Sequence, residues 1–434
     1  MASTALASAL ARRDIHYGWV VAGATFLTML VTAAAMGTPG VLIVPLEHEF
    51  GWSDAQISSA LALRILLYGL FGPFAAAFMN RFGVRRVIVC ALALISFGLL
   101  ASLGMTQMWQ LIVLWGIVVG IGTGLTAMVL AATVATRWFN HRRGLVMGML
   151  AASSATGQLI FLPLIAELTT RYGWRSALVF VSAILGLTAI VTLFLMRDRP
   201  SDLNLPLYGE TVISPAPASG AGLVTLLLSP LVVLRDCARV PVFWVLFATF
   251  FVCGCSTNGL VQTHFVALCH DYGFAATAAA SVLAMMGAFD FIGTIGSGWL
   301  SDRFDNRWLL FWYYGLRGLS LLYLPFTDFT LYGLSIFAVF YGLDWIATVP
   351  PTVKLTADRF GRERAGMVFG WIFTGHQIGA ASAAIGAGVV RTVYATYLPA
   401  FFVAGVLCIM AALLVITVRK PSPRDVGVPA PARA

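Results

Sequence analysis

Twelve apolar stretches, each about the length needed to cross a bilayer as a helix, fill most of this 434-residue chain. A hydrocarbon core of about 30 Å calls for about 20 apolar residues in helical form, and runs such as 87–104 and 176–196 qualify individually. With 59% hydrophobic and 10% charged residues, too little polar surface exists to coat a soluble domain, and the mean hydropathy is +0.89. Lipid is therefore the solvent, and a backbone in lipid must bond to itself. The spans fall at 17–45, 54–79, 87–104, 109–136, 144–170 and 175–196, then 241–269, 277–301, 308–325, 330–357, 365–391 and 397–418. These predict an all-α membrane protein whose twelve transmembrane helices form two pseudo-symmetric six-helix bundles.

The basic residues set the expected topology. Of 27 Lys and Arg, 21 lie in alternate loops or tails, while the intervening loops carry only Arg171, Arg175 and Arg391. By the positive-inside rule the basic loops face the cytoplasm, with both termini. Because the cations are spread over these loops rather than gathered on one soluble face, the net charge of +9 does not point to nucleic acid. Two loops, 72–86 and 298–307, carry related basic sequence about 220 residues apart, each joining the second and third spans of its half. A six-helix unit used twice is how many secondary transporters place a substrate site between two rocking halves.

The expected organisation is a first bundle at 1–196, a cytoplasmic linker at 197–240 and a second bundle with a short tail at 241–434. The linker holds Pro200, Pro206, Pro215 and Pro217, and its apolar stretch 223–234 is too short to span, so it is expected to lie along the interface as a helix. No cleavable signal is expected, since the first apolar run is longer than a signal-peptide core. Gly116, Gly120 and Gly124 recur every four residues, as do Gly366 with Gly370 and Gly375 with Gly379. Small faces of this kind let helices approach closely. The six cysteines lack C-x-x-C spacing, so neither a disulfide framework nor a metal site is indicated.

Ionisable residues inside spans are costly, at least about 2.5–3.5 kcal/mol each on insertion scales, so those present usually face a cavity or a partner. Arg64 lies in span 2, Asp290 in span 8, Arg317 in span 9, Asp344 in span 10 and His376 in span 11. Arg64 is the candidate for an anionic substrate, because guanidinium holds carboxylate bidentately; snorkelling outward or pairing with a helix end are the alternatives. Tyr68, one turn on, aligns with Asp290 in the repeat. Asp290, Arg317 and Asp344 form the expected proton-coupling set, one cation between two carboxylates, against the plainer reading that Arg317 neutralises a buried Asp and locks the second bundle. His376 is a candidate proton relay or a neutral packing residue.

The repeated loop resembles the signature of the major facilitator superfamily, G-x-x-x-D-R-x-G-x-R-R: the second copy keeps Asp302-Arg303, and the first reads Asn80-Arg81-Phe82-Gly83 with Asn for Asp. The resemblance implies a conformational latch at the cytoplasmic face, with Arg81, Asp302 and Arg303 in it. Trp138-Phe139-Asn140-His141-Arg142-Arg143-Gly144 and Tyr172-Gly173-Trp174-Arg175 are similar to the monocarboxylate transporter branch, with Arg142 and Arg143 at the start of span 5 anchoring that end to anionic lipid or stabilising the inward-closed state. The branch's acidic-then-basic pair on span 8 survives only as Asp290, with Thr294 at the basic position. Either Arg317 or Arg64 takes over the substrate carboxylate, or the substrate is not a simple monocarboxylate.

The expectation is a secondary carrier in the inner (plasma) membrane, functional as a monomer. It moves a small organic anion with a proton, or by exchange, through alternating access. An efflux carrier for hydrophobic or cationic compounds is the alternative. No cofactor is called for: the chain has no G-x-x-x-x-G-K-[ST], and neither H-E-x-x-H nor G-x-S-x-G, so no enzyme is expected.

Overall fold

A computed structural model of the protein describes residues 7–10, 12–213, 222–274 and 276–418. Six helical rods come first: α1 Gly18–Phe50; α2 Asp54–Leu70, continued by Gly72–Phe82; α3 Val84–Ala101; α4 Met108–Trp138; α5 Arg143–Tyr172; and α6 Trp174–Leu195. Six follow the linker: α7 Pro241–Asp271, α8 Ala276–Ser301, α9 Asn306–Tyr323, α10 Leu331–Phe360, α11 Arg362–Tyr394 and α12 Leu398–Ile416. Among the described residues no strand forms; a single bridge pairs Phe139 with Tyr208 of the linker.

Nine of these rods are long and apolar enough on their own to cross a membrane, and α2, bent by 53° at its break, makes ten. The remaining two, α9 and α11, fall short in mean hydropathy, since α9 carries Arg307 and Arg317 and α11 carries His376-Gln377 among repeated glycines. Their polar positions are tolerable because both rods pack along neighbours: α9 on α12 and α10, and α11 on α7 and on the first bundle.

Packing repeats across the halves. In the first bundle α1 packs on α5, α2 on α4 and α3 on α6; in the second α7 packs on α11, α8 on α10 and α9 on α12. The bundles meet along α5 with α8 and along α2 with α11. Close approach there needs glycine: a side chain at Gly144 or Gly298 would run into the facing backbone, and one at Gly370 into Pro73. The predicted glycine stripe on α4 works within a bundle, where Gly120 and Gly124 lie against the α2 backbone.

The start of α1 at Tyr17 and the chain just past α12 at Val418 lie on one face, which we call the terminal face. The Tyr17 hydroxyl donates to Leu195 O at 2.8 Å, and Arg307 Nη1 to Val418 O at 2.8 Å. The linker forms a helix at Leu223–Cys237 that rests on α2 and α11, with the Trp371 indole donating to Pro230 O at 2.9 Å. Its outer side exposes Val224, Leu227, Leu228 and Leu231.

Candidate substrate site and gate

The seam between the bundles begins at the terminal face. Asp302, at the end of α8, accepts hydrogen bonds from Gly144 N at 2.8 Å and Leu145 N at 2.9 Å. It thereby caps the N-terminus of α5, where free amides and the helix dipole favour an anion. Arg143 donates to Phe139 O at 3.3 Å and reaches Asp358 of the second bundle at 3.7 Å. Of the other expected latch residues, Arg303 stacks on Trp299 at 3.9 Å within its own bundle. Arg142 adopts a left-handed conformation (φ 59°) ahead of α5, and Arg81 is exposed at the end of α2. Lys354 of α10, which no sequence motif singles out, donates to Ser301 O at 2.6 Å and approaches Asp302 at 3.5 Å.

The seam continues to mid-depth, where the Thr374 hydroxyl bonds Gly69 O at 3.0 Å and Tyr68 meets Phe373 edge-on at 5.6 Å. Beyond that level the seam helices are uncovered: Ser58, Ser59, Ala62, Ile65 and Leu66 of α2 are exposed, as are Ala381, Ser382 and Ile385 of α11. The bundles are thus joined at the terminal half.

Arg64 sits one turn past the seam's deepest contact. Its guanidinium is 5% exposed and donates to Ala35 O at 3.3 Å and Met36 O at 3.0 Å in α1. Residue 39 is proline and has no N–H for the Ala35 carbonyl, so the arginine meets a carbonyl the helix cannot bond. Its Nε has no hydrogen-bond partner, and it forms no ion pair among the described residues.

In the second bundle the expected charges gather around a break in α10. The rod is regular from Leu331 to Asp344, turns through Trp345–Thr348 and resumes at Val349. Pro350 and Pro351 remove two amide donors from that turn. Arg317 closes part of the gap: Nε meets Asp344 Oδ2 at 2.7 Å, and Nη2 donates to Asp344 O at 2.5 Å and Trp345 O at 3.0 Å. Its Nη1 lies 3.0 Å from the Cys253 sulfur. Asp290 closes another part, accepting from Ile346 N at 2.9 Å and from the Thr294 hydroxyl at 2.8 Å. The Ser297 hydroxyl bonds Ala347 O at 2.5 Å. Arg317 therefore pairs with one of the two carboxylates, and Asp290 rests on an amide and a hydroxyl.

His376 stacks on Phe373 at 5.8 Å and borders Phe250 and the Cys253 thiol. An unbroken line of contacts runs from Tyr68 through Phe373, His376 and Cys253 to Arg317 and Asp344. Cys253 carried no sequence signal, because a lone cysteine in an apolar run reads as packing. Asp290, Arg317 and Asp344 are 1%, 0% and 4% exposed, so all three are shielded in this conformation, as is Arg64. Asp344 Oδ1 is buried without a partner.

Two six-helix bundles with matched packing, joined at one end through small residues and a capping carboxylate, are the build of a secondary transporter. The sequence profile of the Major Facilitator Superfamily matches residues 25–384 and, in a second overlapping match, 266–434, so the chain belongs to that superfamily of transporters. It is 26% identical to monocarboxylate transporter 13 of Rattus norvegicus, over 93% of this chain and 89% of that protein. It is 22% identical to the uncharacterized MFS-type transporter YcxA of Bacillus subtilis (strain 168), over 84% of this chain and 86% of that protein. Among solved structures, the human organic anion transporter MFSD10 superposes with a TM-score of 0.71 at 15% identity, covering 92% of this chain and 99% of that one. The proton:xylose symporter XylE gives 0.68 at 14% identity, covering 92% and 95%. The protein is a multi-pass membrane transporter of a small molecule.

Proposed function

We propose that this transporter carries a small organic anion of the monocarboxylate type across the plasma membrane, with its terminal face toward the cytoplasm, and that transport is coupled to protons. The observation that carries the reading is Arg64: a buried guanidinium with no carboxylate partner, one turn past the level where the bundles meet. A substrate carboxylate supplies the missing counter-charge at a site where a desolvated cation otherwise costs several kcal/mol. Tyr68, one turn nearer the terminal face and against Phe373, is positioned to cover the substrate's apolar part. The names of the relatives, monocarboxylate and organic-anion transporters, support the same class.

Asp290 and Asp344 are the proton candidates. Both bond to the α10 break, so changing the charge of either alters how firmly that break is held, and this couples protonation to helix geometry. Arg317, with its donors engaged in the break, serves that coupling rather than the substrate.

The test is uptake of labelled lactate, pyruvate and aromatic acids by the purified protein in liposomes under imposed pH gradients. Wild type is expected to accumulate at least one acid when the outside is acidic. Arg64→Gln should lose uptake at least about 100-fold at normal membrane levels, with Arg64→Lys intermediate. Undiminished uptake by Arg64→Gln sinks the assignment. Uptake indifferent to the gradient but accelerated by internal anion replaces symport with exchange.

A further inference from the structure

An arginine-lined cavity lies at the terminal face, away from the candidate substrate site. A cavity of about 100 Å³ opens between α4, the linker and α11, lined among others by Asn80, Arg137, Arg199, Arg362 and Glu363. It is large enough for an inorganic oxyanion and too small for a nucleotide. Three arginines and one glutamate line it, and the acids nearby are already engaged. Glu363 pairs with Arg199 at 3.5 Å, and Glu210 with Arg362 at 2.9 Å. Asp198 accepts from Arg85 N at 2.7 Å, and Asp202 from Arg199 N at 3.0 Å.

Arg137 is left over. Its Nη1 donates to Met79 O at 3.3 Å and its Nη2 to the Asn80 side-chain oxygen, both neutral acceptors. It forms no ion pair among the described residues. Arg362, facing it from the second bundle, donates to Asn140 of the first as well as to Glu210.

From this geometry we propose that the cavity binds a phosphate-type oxyanion between Arg137, Arg199 and Arg362, fastening α4 of the first bundle to α11 of the second. Guanidinium groups suit oxyanions because their paired donors match the oxygen spacing. Since the arginines come from both bundles and the linker, the anion holds the terminal face shut. Any ligand that prefers one state shifts the equilibrium toward it. The oxyanion is either free phosphate or a lipid headgroup, which share the chemistry.

Asn80 makes the idea testable, because Asn80→Asp is isosteric and puts a fixed carboxylate beside Arg137, replacing the bound charge. Thermal unfolding of the full chain in detergent should be followed while inorganic phosphate is titrated against gluconate at constant ionic strength. A parallel series in nanodiscs compares phosphatidylglycerol with phosphatidylcholine. Wild type is expected to show a saturable rise in unfolding temperature. Arg137→Gln should weaken the apparent phosphate affinity at least about tenfold. Asn80→Asp should start near the phosphate-saturated wild-type value and respond no further. If phosphate is inert but phosphatidylglycerol stabilises wild type and not Asn80→Asp, the headgroup is the source. Equal responses in all three proteins, or no response to either source, overturn the proposal.

Discussion

Arg317 holds Asp344 by one bond and two backbone carbonyls by others, so the two members of this ion pair are not equivalent. Removing one partner of a buried pair costs about 3–5 kcal/mol. Arg317→Met leaves a carboxylate and two carbonyls without donors, whereas Asp344→Asn keeps the carbonyl bonds. The arginine substitution is therefore expected to lower the unfolding temperature in detergent more than the aspartate one; equal losses would show that the carbonyl bonds contribute little. Glu49, on the opposite face and beyond the apolar stretch Gly18–Thr38, behaves differently. Its carboxyl accepts from Arg175 at 2.9 and 2.6 Å and from the Trp174 indole at 2.6 Å, which holds it below the ordinary carboxylate range. A depressed carboxyl stabilises the fold above its unfolded pKa, about 4.3, and that contribution is lost as pH falls through the lower folded value. Glu49→Gln should thus cost a little stability at pH 7, and the gap between the melting curves should close as pH falls through the acid range below about 4.3. At this scale sequence named the unusual residues and the pairing of Arg317 with an Asp, but not which Asp it meets or which carbonyls hold Arg64. Arg64, Asp290, Arg317 and Asp344 stand out because lipid penalises charge anywhere. That Asp290 answers an amide rather than Arg317 depends on where α10 breaks, which only packing reveals.

Helices were the most legible level, since apolar length is a local property. The sequence-read spans and the observed rods agree to within a few residues at most ends, even for α9 and α11, whose composition alone falls short of a membrane helix. Pro73 marks where α2 can bend, since it removes a helical hydrogen bond, but the 53° angle itself is not written in the sequence. The prediction that belongs here concerns Gly298. A valine there cannot fit against the Gly144 backbone, so the α5–α8 seam should part at the terminal face. In a background without the exposed Cys90, a cysteine at Thr374 should then react several-fold faster with a water-soluble maleimide added from that face. Unchanged labelling would mean that α5 and α8 separate without exposing mid-depth.

For the whole molecule, the sequence supplied the number of rods and their two-fold arrangement through the repeated basic loops. It did not supply the conformational state, because both states of a rocking carrier share one pattern of hydropathy. The positive-inside distribution predicts that a C-terminal tag is digested by protease in inverted vesicles and protected in right-side-out ones; the reverse result would flip the proposed orientation while leaving the fold untouched.

Capping by Asp302 has a further implication. When the terminal face opens, two amide donors lose an anionic acceptor and water must replace it, so the strength of that bond sets how long the carrier rests between turnovers. Weakening it moderately, as Asp302→Asn would, makes each cycle easier to begin but also lets the inner mouth fall open without cargo. Under the proposed proton coupling that leak drains the proton gradient, which gives selection a reason to keep the tether tight even though a looser one would run faster.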